Sequence, residues 1–471
     1  MKRSSYLVMA LVLVVSLVLT ACGAAGPAEP TKPAEPTKSV EQPAQPTDVP
    51  APTAESAPET SFDWQMKKGE KLRVAMVSQP WTKFLEPYIP EFKELTGIDI
   101  TYEILPEDQF RQKTTTEFTA GTSDVDVFLS MAAQEGIKYE SAGWYEDIGK
   151  LAANTEITDP NFDINDFTAS GLGTATLSNG KLIGLPVYLE FGSLLMNKAL
   201  FEQAGVPYPP QTLEDVEKAA AAITDKDAGI YGWCARGKGA AGTSQFASIM
   251  YAFGSGWVDA NGKANLLDPK WLDAMAWYGN MLNKYGPPGA SAIHWQQCQD
   301  LVLQGKVGMW LDASVFFANL LDPAVSTIAE TAGIAVAPEG PGGRNPHVAS
   351  WHVSIYSQSK HKEAAWLFLQ WALGKEMVLK AQLANITTVR TSAWESPEFQ
   401  KAGNQELIDA FTYAMQNGNP GWNPPVLAVG EARDAIGVVI ITAHEGGDFK
   451  AEAAKANTKL QELIDATPEL K

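Results

Sequence analysis

Cysteine and histidine are scarce in this chain, with three and five residues respectively among 471. No two histidines have the spacing His-x-x-x-His, and no cysteine–histidine cluster has the spacing of a zinc site. We therefore expect no metal centre and no cofactor. The sequence also has no Gly-x-Ser-x-Gly motif, which argues against an α/β-hydrolase. The run Gly237-Lys238-Gly239-Ala240-Ala241-Gly242 fits a dinucleotide-binding fingerprint, but no clear βαβ unit surrounds it, so we interpret it as a loop before a helix.

Basic residues are also in short supply. The chain carries 36 Lys and Arg against 55 Asp and Glu, and its formal net charge is −19. This balance argues against nucleic acid and against anionic lipid surfaces as partners. After the first two dozen residues there is no further apolar run of transmembrane length.

The first residues have the order of a secretory signal peptide. A basic start is followed by an apolar run over 6–19 and then by Leu19-Thr20-Ala21-Cys22. Small residues leading into a cysteine resemble the bacterial lipobox, in which the cysteine receives lipid. We expect residues 1–21 to be the signal peptide and Cys22 to be the lipid attachment site. The alternative is a signal anchor with an incidental cysteine.

The segment that follows is predicted to be a tether. Residues 27–60 consist almost only of small, polar and proline residues, and no aromatic residue appears until Phe62. Such a composition cannot bury enough apolar surface to offset chain ordering, so we expect residues 22–65 to be disordered. About 410 residues remain, which suits two lobes. Outside the cytoplasm Cys234 and Cys298 can pair, or they can be two separate buried thiols.

The folded part opens with alternating strand and helix patterns. Residues 71–76 and 98–104 alternate apolar and polar positions, as half-buried strands do, and residues 125–129 form a short buried strand. Helical spacing over 84–95 ends at Gly97. The order strand–helix–strand–helix–strand predicts a parallel sheet covered by helices. Further on, Thr212 and Asp215 form a capping box.

Five runs, taken in order, resemble the extracellular solute-binding proteins of ABC sugar importers, the maltose-binding-like group. They lie at residues 92–98, 120–127, 180–186, 197–207 and 304–309. The resemblance covers the chain from about residue 70 to its end. It implies an α/β, two-lobed type II periplasmic-binding-protein-like fold, with parallel-rich sheets flanked by helices and a ligand cleft between the lobes. The expected first lobe comprises 66–187 and 313–373, and the second comprises 188–312 and 374–471.

The same resemblance implies a function. We expect a substrate-binding lipoprotein, not an enzyme, that captures a sugar, oligosaccharide or sugar alcohol and delivers it to the permease subunits of an ABC importer. It would be a monomer held at the outer face of the cytoplasmic membrane. The segments at 236–239 and 349–355 look closer to the polyol-binding branch. Two alternatives stay open: a secreted glycoside-processing enzyme, and a surface module that binds a carbohydrate or peptide without transport.

The candidate ligand-binding residues combine aromatic rings with planar hydrogen-bonding groups, the chemistry that suits sugars and polyols. Several of them follow predicted strands, where ligands of open α/β sheets bind. The candidates are Gln79, Trp81, Glu190, Arg236, Asp312, Trp351, His352, Arg390 and Trp422. The competing interpretations are a turn and a staple against the following helix for Gln79 and Trp81, a solvated loop acid for Glu190, a surface ion pair for Arg236, a helix cap for Asp312 and core packing for Trp351.

Overall fold

The structure is a computed structural model that describes residues 62–177 and 179–467. The predicted signal peptide, Cys22 and most of the predicted tether therefore lie outside the described residues. Within the described part, no helix is long and apolar enough to span a membrane.

Eight strands make up one mixed sheet. They are β1 (Lys71–Val77), β2 (Asp99–Leu105), β3 (Val127–Ser130), β4 (Leu185–Asn197), β5 (Tyr231–Cys234), β6 (Val307–Ala313), β7 (Ala332–Val336) and β8 (Val348–Ile355). The order across the sheet is β2-β1-β3-β8-β4-β6-β5, and β7 also pairs with β4.

Helices surround this sheet. The first group is α1 (Pro80–Leu85), α2 (Ile89–Thr96), α3 (Glu107–Ala120), α4 (Ile137–Ser141), α5 (Ile148–Ala152), α6 (Ala169–Ala175), α7 (Lys198–Ala204), α8 (Leu213–Ile223), α9 (Gly239–Ala252) and α10 (Pro269–Tyr285). The second group is α11 (Trp295–Leu303), α12 (Phe317–Leu321), α13 (Lys362–Ala372), α14 (Lys375–Leu383), α15 (Thr391–Trp394), α16 (Pro397–Ala402), α17 (Gln405–Asn417), α18 (Val429–His444) and α19 (Phe449–Asp465).

The opening strands pair as the sequence predicts, since β1 lies parallel to both β2 and β3. The predicted helix over 84–95 is wrong as a single element. The chain instead forms α1, a 3₁₀ turn at Glu86–Tyr88, and α2. Pro87 and Pro90 explain the division, because proline lacks the N–H that a continuous helix needs and is favoured in a first turn. Gly97 ends α2 in the left-handed region, at φ 71°, as predicted.

Strand β4 joins the two halves of the sheet. All thirteen of its residues are buried. Its first part pairs antiparallel with β8, and its second part pairs antiparallel with β6 and β7. Because β4 pairs with both groups of strands, it connects them within one sheet.

Two apolar clusters pack against this sheet. The first contains the β1–β3 strands and α13, and the second contains α8, α9, α10, α18 and α19. The apolar face of α10 that carries Trp271, Met275 and Tyr278 is buried in the second cluster. Met377 and Phe411 belong to the first cluster although they lie beyond residue 373. The lobe boundary at 373/374 therefore stays a prediction.

Candidate ligand-binding site

A cavity lies beside the crossing strand β4. Five of the nine candidate residues line it: Gln79, Glu190, Arg236, Trp351 and Trp422. The rest of the lining is made by Val77, Ser78, Glu107, Tyr188, Trp295, Val315 and Phe316. The structure thus brings together side chains that are more than 340 positions apart along the chain.

Strand geometry explains how two of the walls form. Tyr188 and Glu190 are two residues apart on β4, so their side chains lie on one face of the sheet. Trp351 of β8 lies directly opposite Tyr188, and opposite residues share a face. Gln79 follows the carboxyl end of β1, where a ligand of a parallel sheet is expected to lie.

Arg236 is held by Asp312. The Nε of Arg236 donates to Oδ2 of Asp312 over 2.9 Å, and its Nη2 donates to Oδ1. Asp312 also accepts from Nε1 of Trp310 and from the backbone N–H of Ala313. Both carboxylate oxygens of Asp312 are therefore occupied, and its side chain is fully buried. Asp312 orients the guanidinium of Arg236 and is not part of the cavity lining.

Glu190 differs in its protonation from Glu107, the other acidic residue of the lining. Burial raises the pKa of its carboxyl to about 8, although the Arg236 guanidinium acts to lower it. Glu190 is thus mostly neutral at pH 7. A protonated carboxyl can donate one hydrogen bond and accept others, which matches the two-way hydrogen bonding of a hydroxyl group.

The aromatic rings from the two sides of the cavity are each covered by an arginine. The guanidinium carbon of Arg111 lies 4.6 Å from the ring centre of Trp351, and that of Arg433 lies 5.6 Å from the ring centre of Trp422. Arg111 forms an ion pair with Glu135, and Arg433 donates to the side chain of Gln134. The two arginine–tryptophan pairs therefore meet at consecutive residues of the Ala132–Gly136 turn.

The carboxylate of Glu107 lies on the same side as Arg111. Arg111 Nη2 is 3.2 Å from Glu107 Oε1. Burial raises the pKa of Glu107, but the charges of Arg111 and Arg236 outweigh it and hold that pKa at about 2. Glu107 is therefore ionised and neutralised by its neighbours.

Three stacked aromatic rings connect the cavity lining to the Arg236–Asp312 pair. Trp295 stacks on Phe316 with ring centres 4.8 Å apart, and Phe316 stacks on Trp310 at 5.1 Å. Trp310 is the indole that also donates to Asp312. The rings of Trp295 and Phe316 in the lining therefore pack, through Trp310, against the residue that pairs with Arg236.

Several polar atoms of the lining have no partner among the described residues, although they are buried. They are Nε2 and Oε1 of Gln79 and Nε1 of Trp422. Buried polar groups in proteins are nearly always hydrogen-bonded, so unpartnered ones at a cavity indicate a ligand or water site. The lining thus offers two unpartnered donors, Nε2 of Gln79 and Nε1 of Trp422, and one acceptor, Oε1 of Gln79.

Three candidate residues lie elsewhere. Trp81 is buried in the first apolar cluster, on α1. His352 is fully buried on β8 next to Trp351, and its Nε2 is 3.3 Å from the hydroxyl of Thr174. Arg390 is enclosed by Phe162 and Phe167 and bonds to Asp166 and to the backbone oxygen of Leu373. These contacts give all three a packing role in the structure.

Cys234 and Cys298 form a disulfide with a Cα–Cα distance of 5.8 Å. The bond joins the end of β5 to α11. Arg236 lies two residues after the first cysteine, and Trp295 opens the helix that carries the second. The disulfide therefore links two walls of the cavity. Among the described residues there is no cluster of side chains that could hold a metal ion.

Sequence reasoning missed Tyr188, Glu107 and Trp295. Tyr188 could have been found, because it is two residues before Glu190 on the same strand and so shares its face. Glu107 and Trp295 are first residues of helices, and nothing in the local sequence indicates that these two helix starts meet.

Comparison with known proteins identifies the family. Residues 78–378, which is more than half of the chain, match the profile of the bacterial extracellular solute-binding proteins. This chain belongs to that family. Solute-binding proteins of ABC importers bind their substrates and do not transform them, so the chain is not an enzyme. The alternative of a glycoside-processing enzyme is thereby excluded.

Named relatives and a solved structure agree with this assignment. An erythritol/L-threitol-binding protein of Mycolicibacterium smegmatis is 27% identical over 437 residues, covering 87% of this chain and 89% of the relative. A mannitol-binding protein of Pseudomonas aeruginosa is 30% identical over 297 residues, covering 61% and 66%. A solute-binding protein of Agrobacterium vitis S4, solved with bound D-mannitol, is 28% identical, with a TM-score of 0.75 and coverage of 85% and 100%. The two-lobed type II periplasmic-binding-protein fold predicted for this solute-binding protein is confirmed.

Proposed function

We propose that this solute-binding protein captures a sugar alcohol, or a sugar with similar hydroxyl spacing, in the cavity beside β4 and delivers it to the permease of an ABC importer. One observation carries the proposal: the buried amide of Gln79 and the indole N–H of Trp422 face a cavity without partners among the described residues. Hydroxyl groups can satisfy donors and acceptors alike. Erythritol, L-threitol and mannitol, after which two of the relatives are named, are linear polyhydroxyl molecules of this kind.

The charge distribution in the lining favours an uncharged ligand. Arg236 is paired with Asp312, and Glu107 is paired with Arg111. Burial holds Glu190 mostly neutral. A charged ligand would have to replace one of these pairs, and leaving a buried charge without its partner is strongly unfavourable.

The proposed ligand contacts are Gln79, Glu190, Arg236, Trp351 and Trp422, with Asp312 acting through Arg236. The proposed lobes remain 66–187 with 313–373 and 188–312 with 374–471. On this division Gln79 and Trp351 come from the first lobe and Arg236 and Trp422 from the second. Ligand binding would then favour the closed arrangement of the lobes, as in hinged clamps generally.

We also propose that the protein is a lipoprotein anchored at Cys22. The support is the order of the first 22 residues and the proline-rich composition that follows. A tether of roughly three dozen residues at about 3.1 Å each reaches at most on the order of 100 Å. It would keep the binding protein near a membrane permease without fixing its orientation.

The proposal is tested by thermal unfolding and calorimetry of the purified solute-binding protein with erythritol, ribitol, D-mannitol and maltose. A ligand present at a hundred times its dissociation constant adds about 2.7 kcal/mol to the stability. We expect at least one of the three sugar alcohols to raise the melting temperature accordingly. Trp422→Ala should abolish the rise. Trp277→Ala, on α10 and outside the lining, is the matched control and should keep it. Binding of maltose alone would contradict the proposed ligand class.

A further inference from the structure

A buried histidine, His347, lies one step along the sheet beyond the residues that line the cavity. Glu190 of β4 lies opposite Ala349 of β8, and Gly192 N donates to His347 O over 2.9 Å, which extends the same pairing. Side chains of directly opposite residues share a face, and every second residue returns to it. His347 therefore lies on the face of the sheet that carries Glu190 and Trp351.

Gly192 makes room for this histidine. A Cβ atom at position 192 would lie 2.0 Å from the hydroxyl oxygen of Ser248 and 3.0 Å from Nδ1 of His347. Any side chain at that position would displace the imidazole or α9. The glycine thus lets the His347 ring lie directly against the crossing strand.

Ser248 contacts His347 at two atoms. The Ser248 oxygen accepts from the backbone N–H of His347 over 3.1 Å and lies 2.9 Å from Nδ1 of the same residue. Burial lowers the pKa of His347 to about 3, so the ring is neutral and carries one proton. A Ser248 hydroxyl that donates to Nδ1 places this proton on Nε2.

Nε2 of His347 is buried and has no partner among the described residues. The ring centre of His347 is 6.2 Å from that of Trp422, whose own indole N–H is also unpartnered. Both amide atoms of Gln245, on the same face of α9 as Ser248, are in the same situation. Unpartnered polar atoms therefore occur both in the cavity lining and on buried residues outside it, His347 and Gln245.

We propose that His347 is a specificity-determining residue of the site, which donates through Nε2 to a hydroxyl oxygen of an uncharged polyhydroxyl ligand, and that Ser248 is the positioning residue that holds the required tautomer. This inference rests on the proposed function. It adds a hydrogen bond that ligands without a hydroxyl at the matching carbon cannot accept, and sites built in this way discriminate strongly against such ligands.

The test uses the purified protein and calorimetry with erythritol, ribitol and D-mannitol. His347→Phe should lower the affinity for the bound sugar alcohol at least tenfold. His347→Gln places an N–H₂ group near the position of Nε2 and should recover most of the loss. The matched control is His444→Phe, because His444 is also buried with an unpartnered Nε2 but lies at the end of α18, outside the cavity.

The outcomes separate the two proposals. Wild-type affinity in His347→Phe would overturn the inference and leave the proposed function standing. Failure of the wild-type protein to bind any of the three sugar alcohols would overturn the ligand class and the inference together. If His347→Phe does not fold, the ¹⁵N spectrum of the wild-type imidazole decides: a proton on Nε2 supports the inference, and a proton on Nδ1 overturns it.

Discussion

Nε of Arg236 donates to Oδ2 of Asp312 over 2.9 Å, at a place where both side chains are buried. Sequence analysis predicted each residue to be a ligand contact by itself. In the structure Arg236 lines the cavity and Asp312 is its counter-ion, so the two have different expected effects when they are changed.

Asp312→Asn should destabilise the fold as well as weaken binding. Removing one partner of a buried ion pair leaves an uncompensated charge, which costs about 3–5 kcal/mol. Denaturant unfolding measures this cost. Glu214→Gln is the control, because its ion pair with Lys218 is exposed and such pairs contribute about 0–1 kcal/mol. Equal effects of the two variants would contradict the positioning role of Asp312.

Glu190 should make stability fall as the pH rises. Its pKa is about 8 in the folded protein and 4.5 in the unfolded chain, so between these values the folded state binds more protons. The free energy of unfolding therefore falls through this interval, and the contribution is lost as the pH passes 8. Glu190→Gln should remove that slope.

Unfolding measured from pH 7 to 9 isolates Glu190 from the buried histidines. Burial lowers the pKa of His347 and His352 to about 3, so in that range both are neutral in the folded protein and mostly neutral in the unfolded chain, where the pKa is 6.5. A slope that persists unchanged in Glu190→Gln would show that another group is responsible.

Gln134→Ala should speed ligand release. Asn423 Nδ2 donates to Oε1 of Gln134 over 2.7 Å and to the backbone oxygen of Ala133 over 3.0 Å, and Arg433 donates to the same side chain. On the proposed lobe division these bonds join the two lobes. Their loss should favour the open form and raise the dissociation rate several-fold with little change in the association rate. Stopped-flow kinetics measures both rates, with exposed Gln112→Ala on α3 as the control. An unchanged dissociation rate would contradict the proposal that the hydrogen bonds of Gln134 stabilise the closed form.

Cys298→Ser should lower stability, since the disulfide spans a sequence separation of 64 residues. The loop-closure relation gives about 4 kcal/mol for a loop of this length. Chemical unfolding with and without a reductant measures it, and the wild-type protein with reductant should match the variant. A variant whose stability still depends on the reductant would contradict the assignment.

Cys22→Ser should release the protein from the membrane fraction of the producing cells. Lipid attachment needs the thiol, and the rest of the mature chain offers no second apolar run of transmembrane length. Fractionation followed by immunoblotting measures the distribution. Retention of the variant in the membrane fraction would favour the signal-anchor alternative.

Local patterns predicted much of the fold. The capping box at Thr212 and Asp215 and the stop at Gly97 both occur as expected, because each depends on backbone hydrogen bonds within a few residues. The single helix predicted over 84–95 is wrong for an equally local reason, because Pro87 and Pro90 divide it into separate elements.

The amino-acid sequence by itself determined the compartment that we expect, the family and the strand end that Gln79 follows. Only the tertiary structure decided that Asp312 is the counter-ion of Arg236, that Trp81 and Arg390 are packed away from the cavity, and that His347 lies on the same face of the sheet as Glu190 and Trp351. The physical reason is that pairing and burial depend on contacts between segments far apart in the chain, whereas caps, turns and strand alternation depend on near neighbours.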